Sequence, residues 1–264
     1  MTLAEATAIA ETGGGSYSGD IQPGWDIMCN ANGGYLLSIA ARAAAHTADR
    51  PDPVSVTAHY LRPGKAGPVS IETDLLRSGR RFSVVRSTMA ADKTLVAVLG
   101  TYGTLEPSES VERLESGPPD LPPPEECTPI EPTESFPPPF MGRVDIRLDP
   151  ADSPFAAGNS SGRPQIQGWF RLRDDEPLDT MALLVAVDAF PPTIFNANLP
   201  IAWSPTIELT AHIRARPLPG WLRCSFTTRF ITGGFLEEDG ELWDESGRLV
   251  AQSRQLALIP KGAA

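Results

Sequence analysis

Two stretches of this chain are apolar on nearly every side of a helical wheel, and each is followed by a train of alternating segments. The first, about 33 to 46, reads GGYLLSIAARAAAH; the second, about 178 to 190, reads LDTMALLVAVDAF, with Asp179 placed as an N-cap and Pro191-Pro192 as a stop. A helix without a polar face cannot lie on a surface, so each is expected to be wrapped by the sheet that follows it. After the first helix, residues 53–62, 68–77, 81–90 and 94–103 read as strands, rich in Val, Thr, Ile and Leu and broken by Gly and Asp turns. After the second, 204–215, 221–231, 234–243 and 248–259 do the same. A long helix followed by consecutive strands is an α+β arrangement, not the strand-helix alternation of a doubly wound sheet.

The two halves also rhyme in sequence. Val56-Thr57-Ala58-His59-Tyr60 is echoed by Leu209-Thr210-Ala211-His212-Ile213, and Leu95-Val96-Ala97 returns as Leu249-Val250-Ala251 in the same order. Between them, residues 106–140 hold eleven of the 27 prolines and nine acids against the single Arg113. Proline removes a backbone donor and fixes φ, so this stretch is expected to be an extended connector. The implied organisation is a duplicated unit: 1–105, a linker over 106–140, and 141–264. A sheet wrapped round one buried helix is the hotdog fold, and two in one chain make a double hotdog.

Composition narrows the partners. The net charge of −11 disfavours nucleic acid and anionic membrane, although most of it sits in the connector. Cys29, Cys127 and Cys224 are odd in number and never spaced as C-x-x-C, which argues against a disulfide framework, a zinc site or a redox pair. The first fifteen residues carry acids where a signal peptide needs basic residues, and no apolar run is long enough to span a membrane. A cytoplasmic protein is expected, and arginine far outnumbering lysine points to a GC-rich bacterial genome. No spacing implies a metal or other cofactor.

The phrases Gly24-Trp25, Asn32-Gly33-Gly34-Tyr35-Leu36 and Leu61-Arg62-Pro63 resemble the N-terminal half of the acyl-CoA thioesterase II family, and the resemblance runs from about residue 20 to 260. That family places a catalytic Asp late in the second helix, a Thr at the start of the next strand and a Gln in the last strand. The resemblance assigns these roles to Asp188, Thr206 and Gln255, and it implies an acyl-CoA substrate and, by analogy, a homodimer. The family's Thr-Ile-Asp-His-Ser reads Thr206-Ile207-Glu208-Leu209-Thr210 here, without the histidine.

Read physically, thioester hydrolysis needs a base, groups that aim the attacking water, and donors for the oxyanion. Asp188 lies late in an apolar helix, where a carboxylate opposes the helix dipole at a cost of roughly 0.3–1 kcal/mol. Its counterpart in the first half is Ala41 or Arg42, so one active site per chain is expected. Strand parity places Thr206 opposite the apolar face of Ile207, Leu209, Ala211 and Ile213, a conflict that disappears if Thr206 precedes regular pairing. The backbone N–H groups at Gly33 and Gly34 are the expected oxyanion donors. Arg80 and Arg81 are the cations expected to meet coenzyme A phosphates.

Three other readings compete. Gly158-Asn159-Ser160-Ser161-Gly162 matches the G-x-S-x-G of serine hydrolases, but the strand expected at 165–170 follows it where a nucleophile elbow needs a helix. A hydratase would place an Asp five residues before a His, and none of His46, His59 and His212 has one. A non-catalytic acyl-CoA binding protein is the rival from another class. Cys29 reads as a small buried hydrophobe.

Overall fold

In the computed structural model, which describes residues 1–106, 111, 113–132, 138–173 and 176–260, the first apolar segment forms helix α2 (Gly33–Ala48), preceded by a one-turn helix α1 (Leu3–Ala6). Leu37, Ile39 and every alanine of α2 are buried, and His46 is its one exposed residue. Around it run strands β5 (Asp52–Tyr60), β6 (Gly67–Ser78), β7 (Ser83–Ala90) and β8 (Thr94–Gly103). Two further strands, β1 (Ile9–Gly13) and β2 (Ser16–Ile21), precede the helix, and a small hairpin, β3 (Asp26–Ile27) and β4 (Asn30–Ala31), leads into it.

The second unit repeats this plan. Strands β10 (Val144–Leu148) and β11 (Gln165–Leu172) precede helix α3 (Thr180–Ala186), and β12 (Thr206–Ile213), β13 (Leu222–Thr227), β15 (Phe235–Trp243) and β16 (Leu249–Leu258) follow, with a short β14 (Ile231–Thr232) against β15. Reading outward from the centre of the sheet, the first unit runs β5, β8, β7, β6, β2, β1 and the second β12, β16, β15, β13, β11, β10. The two orders correspond strand for strand, so the chain is a double hotdog. All neighbours are antiparallel, and β5 joins β12 to make one continuous sheet.

The junction shows how the repeat is built. Thr57 pairs across it with Thr210, its own counterpart in the repeated Thr-Ala-His, and the two hydroxyls are 2.9 Å apart. A pseudo-twofold axis therefore passes through this pair. It sets α2 and α3 side by side, with the start of α2 against the end of α3.

Two expectations are corrected. Helix α3 ends at Ala186, before Asp188. Asp188 N–H bonds the carbonyl of Val185 and Ala189 N–H that of Ala186, a tightened turn, and the prolines at 191 and 192 have no N–H to continue it. Of the longer strands ahead of the two helices the sequence pattern indicates β11 alone, and β1, β2 and β10 are additions to it. Within the connector, residues 122–130 attach to the second unit: β9 (Thr128–Pro129) pairs with β10, Cys127 is buried, and the Trp169 indole donates to the carbonyl of Pro122 (2.8 Å). Residues 107–110, 112 and 133–137 of the connector lie outside the described residues.

Candidate active site

The end of α3 meets the start of α2 at Asp188. Gly34 N–H donates to Asp188 Oδ2 (2.8 Å), and Asn32, the N-cap of α2, donates from Nδ2 to the same oxygen (3.0 Å) and to the Asp188 carbonyl (2.8 Å). The carboxylate that disfavours its own helix thus faces the positive end of the neighbouring one. Such an approach requires the two glycines. A methyl on Gly34 would collide with the carbonyl of Leu184, and one on Gly33 would lie 2.9 Å from Asp188 Oδ2 and 3.0 Å from Tyr60 Cζ. Trp25, stacked on Tyr35 at 4.9 Å, holds this turn in place and accepts the Asn32 N–H at its carbonyl.

Asp188 opens on a cavity of about 770 Å³, also lined by Thr206, Gln255, Glu238 and Tyr60. Its carboxyl is pushed up to about 7. Burial is the main cause; the hydrogen bonds from α2 pull the other way, and the neighbouring Glu238 charge adds to the rise.

Thr206 faces this cavity because of a β-bulge. Against β16, Thr206 pairs with Ala257 and Glu208 with Leu256, so β12 carries one extra residue at Ile207. That residue flips the parity and puts Thr206 on the inward side, with Gln255 and Ala257. The sequence conflict over Thr206 is resolved by this bulge, which leaves Thr206 in the strand but ahead of the regular pairing that begins at Glu208.

A directed chain of hydrogen bonds then fixes each group. Gln255 Nε2 donates to Glu238 Oε1 (2.7 Å), and Thr193 N–H donates to Glu238 Oε2 (2.8 Å). The Gln255 carbonyl oxygen is thereby turned toward Thr206, whose hydroxyl donates to it at 2.9 Å. With its proton committed, Thr206 presents lone pairs to the cavity, suited to accept from a water. Glu238 is 5% exposed, and burial pushes its carboxyl up. Sequence reasoning missed it, although a signal was present: Leu236, Glu238, Gly240 and Leu242 share the buried face of β15, and an acid in that series is out of place.

The structure thus brings Asp188, Thr206 and Gln255 onto one cavity, and Gly33 with them. The Gly34 amide, expected as an oxyanion donor, is bonded to Asp188. Arg80 and Arg81 lie on the turn between β6 and β7 and do not line the cavity; among its described lining residues the cation is Arg62, held at the mouth by a bond to the Thr94 carbonyl (3.0 Å). Cys29, expected to be buried, is exposed at the turn of the β3–β4 hairpin, with φ of 65°. Ser160 sits in a turn, accepting from Gly162 N–H and Asn198 N–H, with β11 and no helix after it. That removes the nucleophile-elbow reading. Among the described residues no cluster of His, Cys, Asp and Glu could hold a metal, and no helix is long and apolar enough to cross a membrane.

The pseudo-equivalent position in the first unit is filled differently. Counted from the N-caps Asn32 and Asp179, the counterpart of Asp188 is Ala41, fully buried. Beside it Arg42 pairs with Asp179 (3.3 Å). Asp52, close by on β5, accepts from Thr180 Oγ1, the Leu105 N–H and Arg216.

Comparison with known proteins agrees with this architecture. Residues 21–104 match the acyl-CoA thioesterase N-terminal domain and residues 124–259 the acyl-CoA thioesterase C-terminal domain. An uncharacterized protein of Mycobacterium tuberculosis is 30% identical over 274 aligned residues, covering 92% of this chain and 91% of that one. A crystal structure described as a thioesterase II from Thermobifida fusca superposes with a TM-score of 0.89 at 33% identity, covering 99% of this chain and 98% of that one. A hot dog protein of Alicyclobacillus acidocaldarius, at 24% identity and a TM-score of 0.85 over 97% of both chains, shares the fold. Both halves match in order, and the match spans the helices, the sheet and the cavity between them: the chain belongs to the acyl-CoA thioesterase family.

Proposed function

We propose that this protein hydrolyses acyl-CoA to the free acid and coenzyme A, with Asp188 as general base toward a water held by Thr206 and Gln255. The observation that carries the reading is a carboxyl raised to about 7, opening on the same cavity as a Thr-Gln-Glu chain whose hydrogen-bond directions leave Thr206 ready to accept. A base with that pKa is ionised over much of the neutral range and still basic enough to take a proton during attack. The water oxygen bonds to the thioester carbon as its proton passes to Asp188. The tetrahedral intermediate then expels the thiolate, which takes that proton and leaves as the thiol.

The cavity suits such a substrate. Val187, Phe190, Phe226, Leu236 and Ala257 give it an apolar wall for an acyl chain, while the exposed Arg62 at the mouth offers a charge to the coenzyme A phosphates. The test is release of free thiol from acyl-CoAs of increasing chain length, with wild type beside Asp188→Asn. The expected result is turnover by wild type, a rate that rises with pH through about 7, and a kcat lower by ~10²–10⁴-fold in the folded variant. Wild type that binds acyl-CoA without releasing thiol would make this a binding protein instead.

A further inference from the structure

Attack on a thioester turns the carbonyl oxygen into an oxyanion, which needs a hydrogen-bond donor that is not already in use. The donors around Asp188 are largely committed. The Gly34 N–H is on the carboxylate, Asn32 Nδ2 serves the Asp188 carbonyl and carboxylate, and Gln255 Nε2 is held by Glu238. Tyr60 is different. Its side chain lines the cavity, its hydroxyl oxygen is buried, and it has no hydrogen-bond partner among the described residues.

Its position is also right. A methyl added at Gly33 would touch both Asp188 Oδ2 and Tyr60 Cζ, so the phenol and the carboxylate flank a single point at the start of α2. Native proteins bury few unpaired polar atoms, and those that remain call for an explanation. The counterpart of Tyr60 in the repeated Thr-Ala-His segment is Ile213, which has no polar atom and belongs to the pseudo-equivalent site, where Ala41 of α2 replaces the base. The hydroxyl therefore accompanies the carboxylate and is absent where the carboxylate is absent. Burial, with the charges of Asp188 and Glu208, pushes the phenol well above its ordinary range, so it stays protonated and remains a donor throughout the working pH range.

We propose that Tyr60 donates its phenolic hydrogen bond to the thioester carbonyl oxygen and, as water adds, to the oxyanion. This inference rests on the thioesterase reading and supplies the donor that the Gly34 amide, bonded to Asp188, does not. As the water oxygen bonds to carbon, the carbonyl π pair moves onto oxygen and is stabilised by the Tyr60 O–H, which keeps its proton. The pair returns when the carbon–sulfur bond breaks.

Tyr60→Phe isolates the hydroxyl, since only one atom is lost and an unpaired buried group goes with it. The expected result is a kcat lower by ~10²–10³-fold with KM little changed and resistance to urea at least equal to wild type. A kcat within about twofold of wild type would overturn the proposal. A second measurement does not depend on turnover. Asp188→Asn protein loaded with octanoyl-CoA labelled with carbon-13 at the carbonyl is examined by infrared difference spectroscopy, with and without Tyr60→Phe. A carbonyl band shifted to lower frequency that reverts in the double variant supports Tyr60 as the donor; an identical band in both excludes it. Wild type that releases no thiol while the band still reverts would sink the hydrolase reading and leave the Tyr60 contact standing.

Discussion

Replacing Asp188 by Asn should stabilise this protein, and the gain should grow with pH. In the unfolded chain the Asp188 carboxyl ionises near its ordinary 3.8, whereas in the fold it does so at about 7. Between those values the native state keeps a proton that the unfolded state has released, so stability falls as pH rises. A shift of about three units corresponds to roughly 4 kcal/mol once both states are ionised. Asn has no such proton, and the groups common to both proteins cancel in the difference. Urea denaturation at pH 4.5 and pH 8 measures it. The advantage of Asp188→Asn over wild type should widen from about 1 kcal/mol to about 4 kcal/mol across that interval. Any cost of seating an amide against the Gly34 and Asn32 donors shifts both values equally and leaves the widening intact. A difference that stays flat with pH, or a variant that loses ground at pH 8, would refute the account of Asp188 as a desolvated base. The same pKa should govern the rising limb of kcat/KM, so two unrelated assays must agree on one number.

Three further changes test the surroundings. Glu238→Gln frees the Gln255 amide to turn over and should lower kcat by ~10–100-fold in steady-state assays while acyl-CoA binding persists. Arg62→Ala should raise KM for acyl-CoA about tenfold and leave acyl-pantetheine unaffected, because only the former carries the nucleotide phosphates. Gly34→Ala forces α2 away from the Leu184 carbonyl and should destabilise the fold by about 1–3 kcal/mol in urea titration, with a loss of kcat as Asp188 is displaced.

The features that the sequence carried were those written in local pattern. Helix α2 and seven of the eight strands that follow the two helices come within about two residues of the observed bounds, because apolar runs and alternation report directly on burial; β13 stops at Thr227, four residues before the expected 231. The strands before α2 escaped notice because β1 is mostly exposed and β2 holds Ser16, Ser18 and Gly19, so neither shows an alternating apolar face. Asp188, Thr206 and Gln255 came from motif resemblance, and the structure brings them to one cavity. The bulge at Ile207 could not be read from β12 alone, since it exists only relative to the register of β16. Glu238 and Tyr60 depend on which face of a strand meets which end of a helix, a relation that arises through space. The choice of Arg80 and Arg81 followed charge density along the chain, and Arg62 took the place at the mouth because β5 ends there.

The axis through Thr57 and Thr210 also bears on how such a site can change over time. In an assembly of two identical hotdog chains, any substitution is made twice, once at each symmetric position. An arginine that fills one pocket would fill the other, and a tyrosine introduced beside one carboxylate would also be imposed on its twin. Joining the copies in a single gene removes that coupling. Ala41 and Arg42 can close one pocket while Asp188 opens the other, and Ile213 can keep packing while Tyr60 takes up chemistry. The fused chain behaves as a permanently tethered heterodimer, in which one of the two pockets formed between the halves is free to specialise in support and the other in reaction.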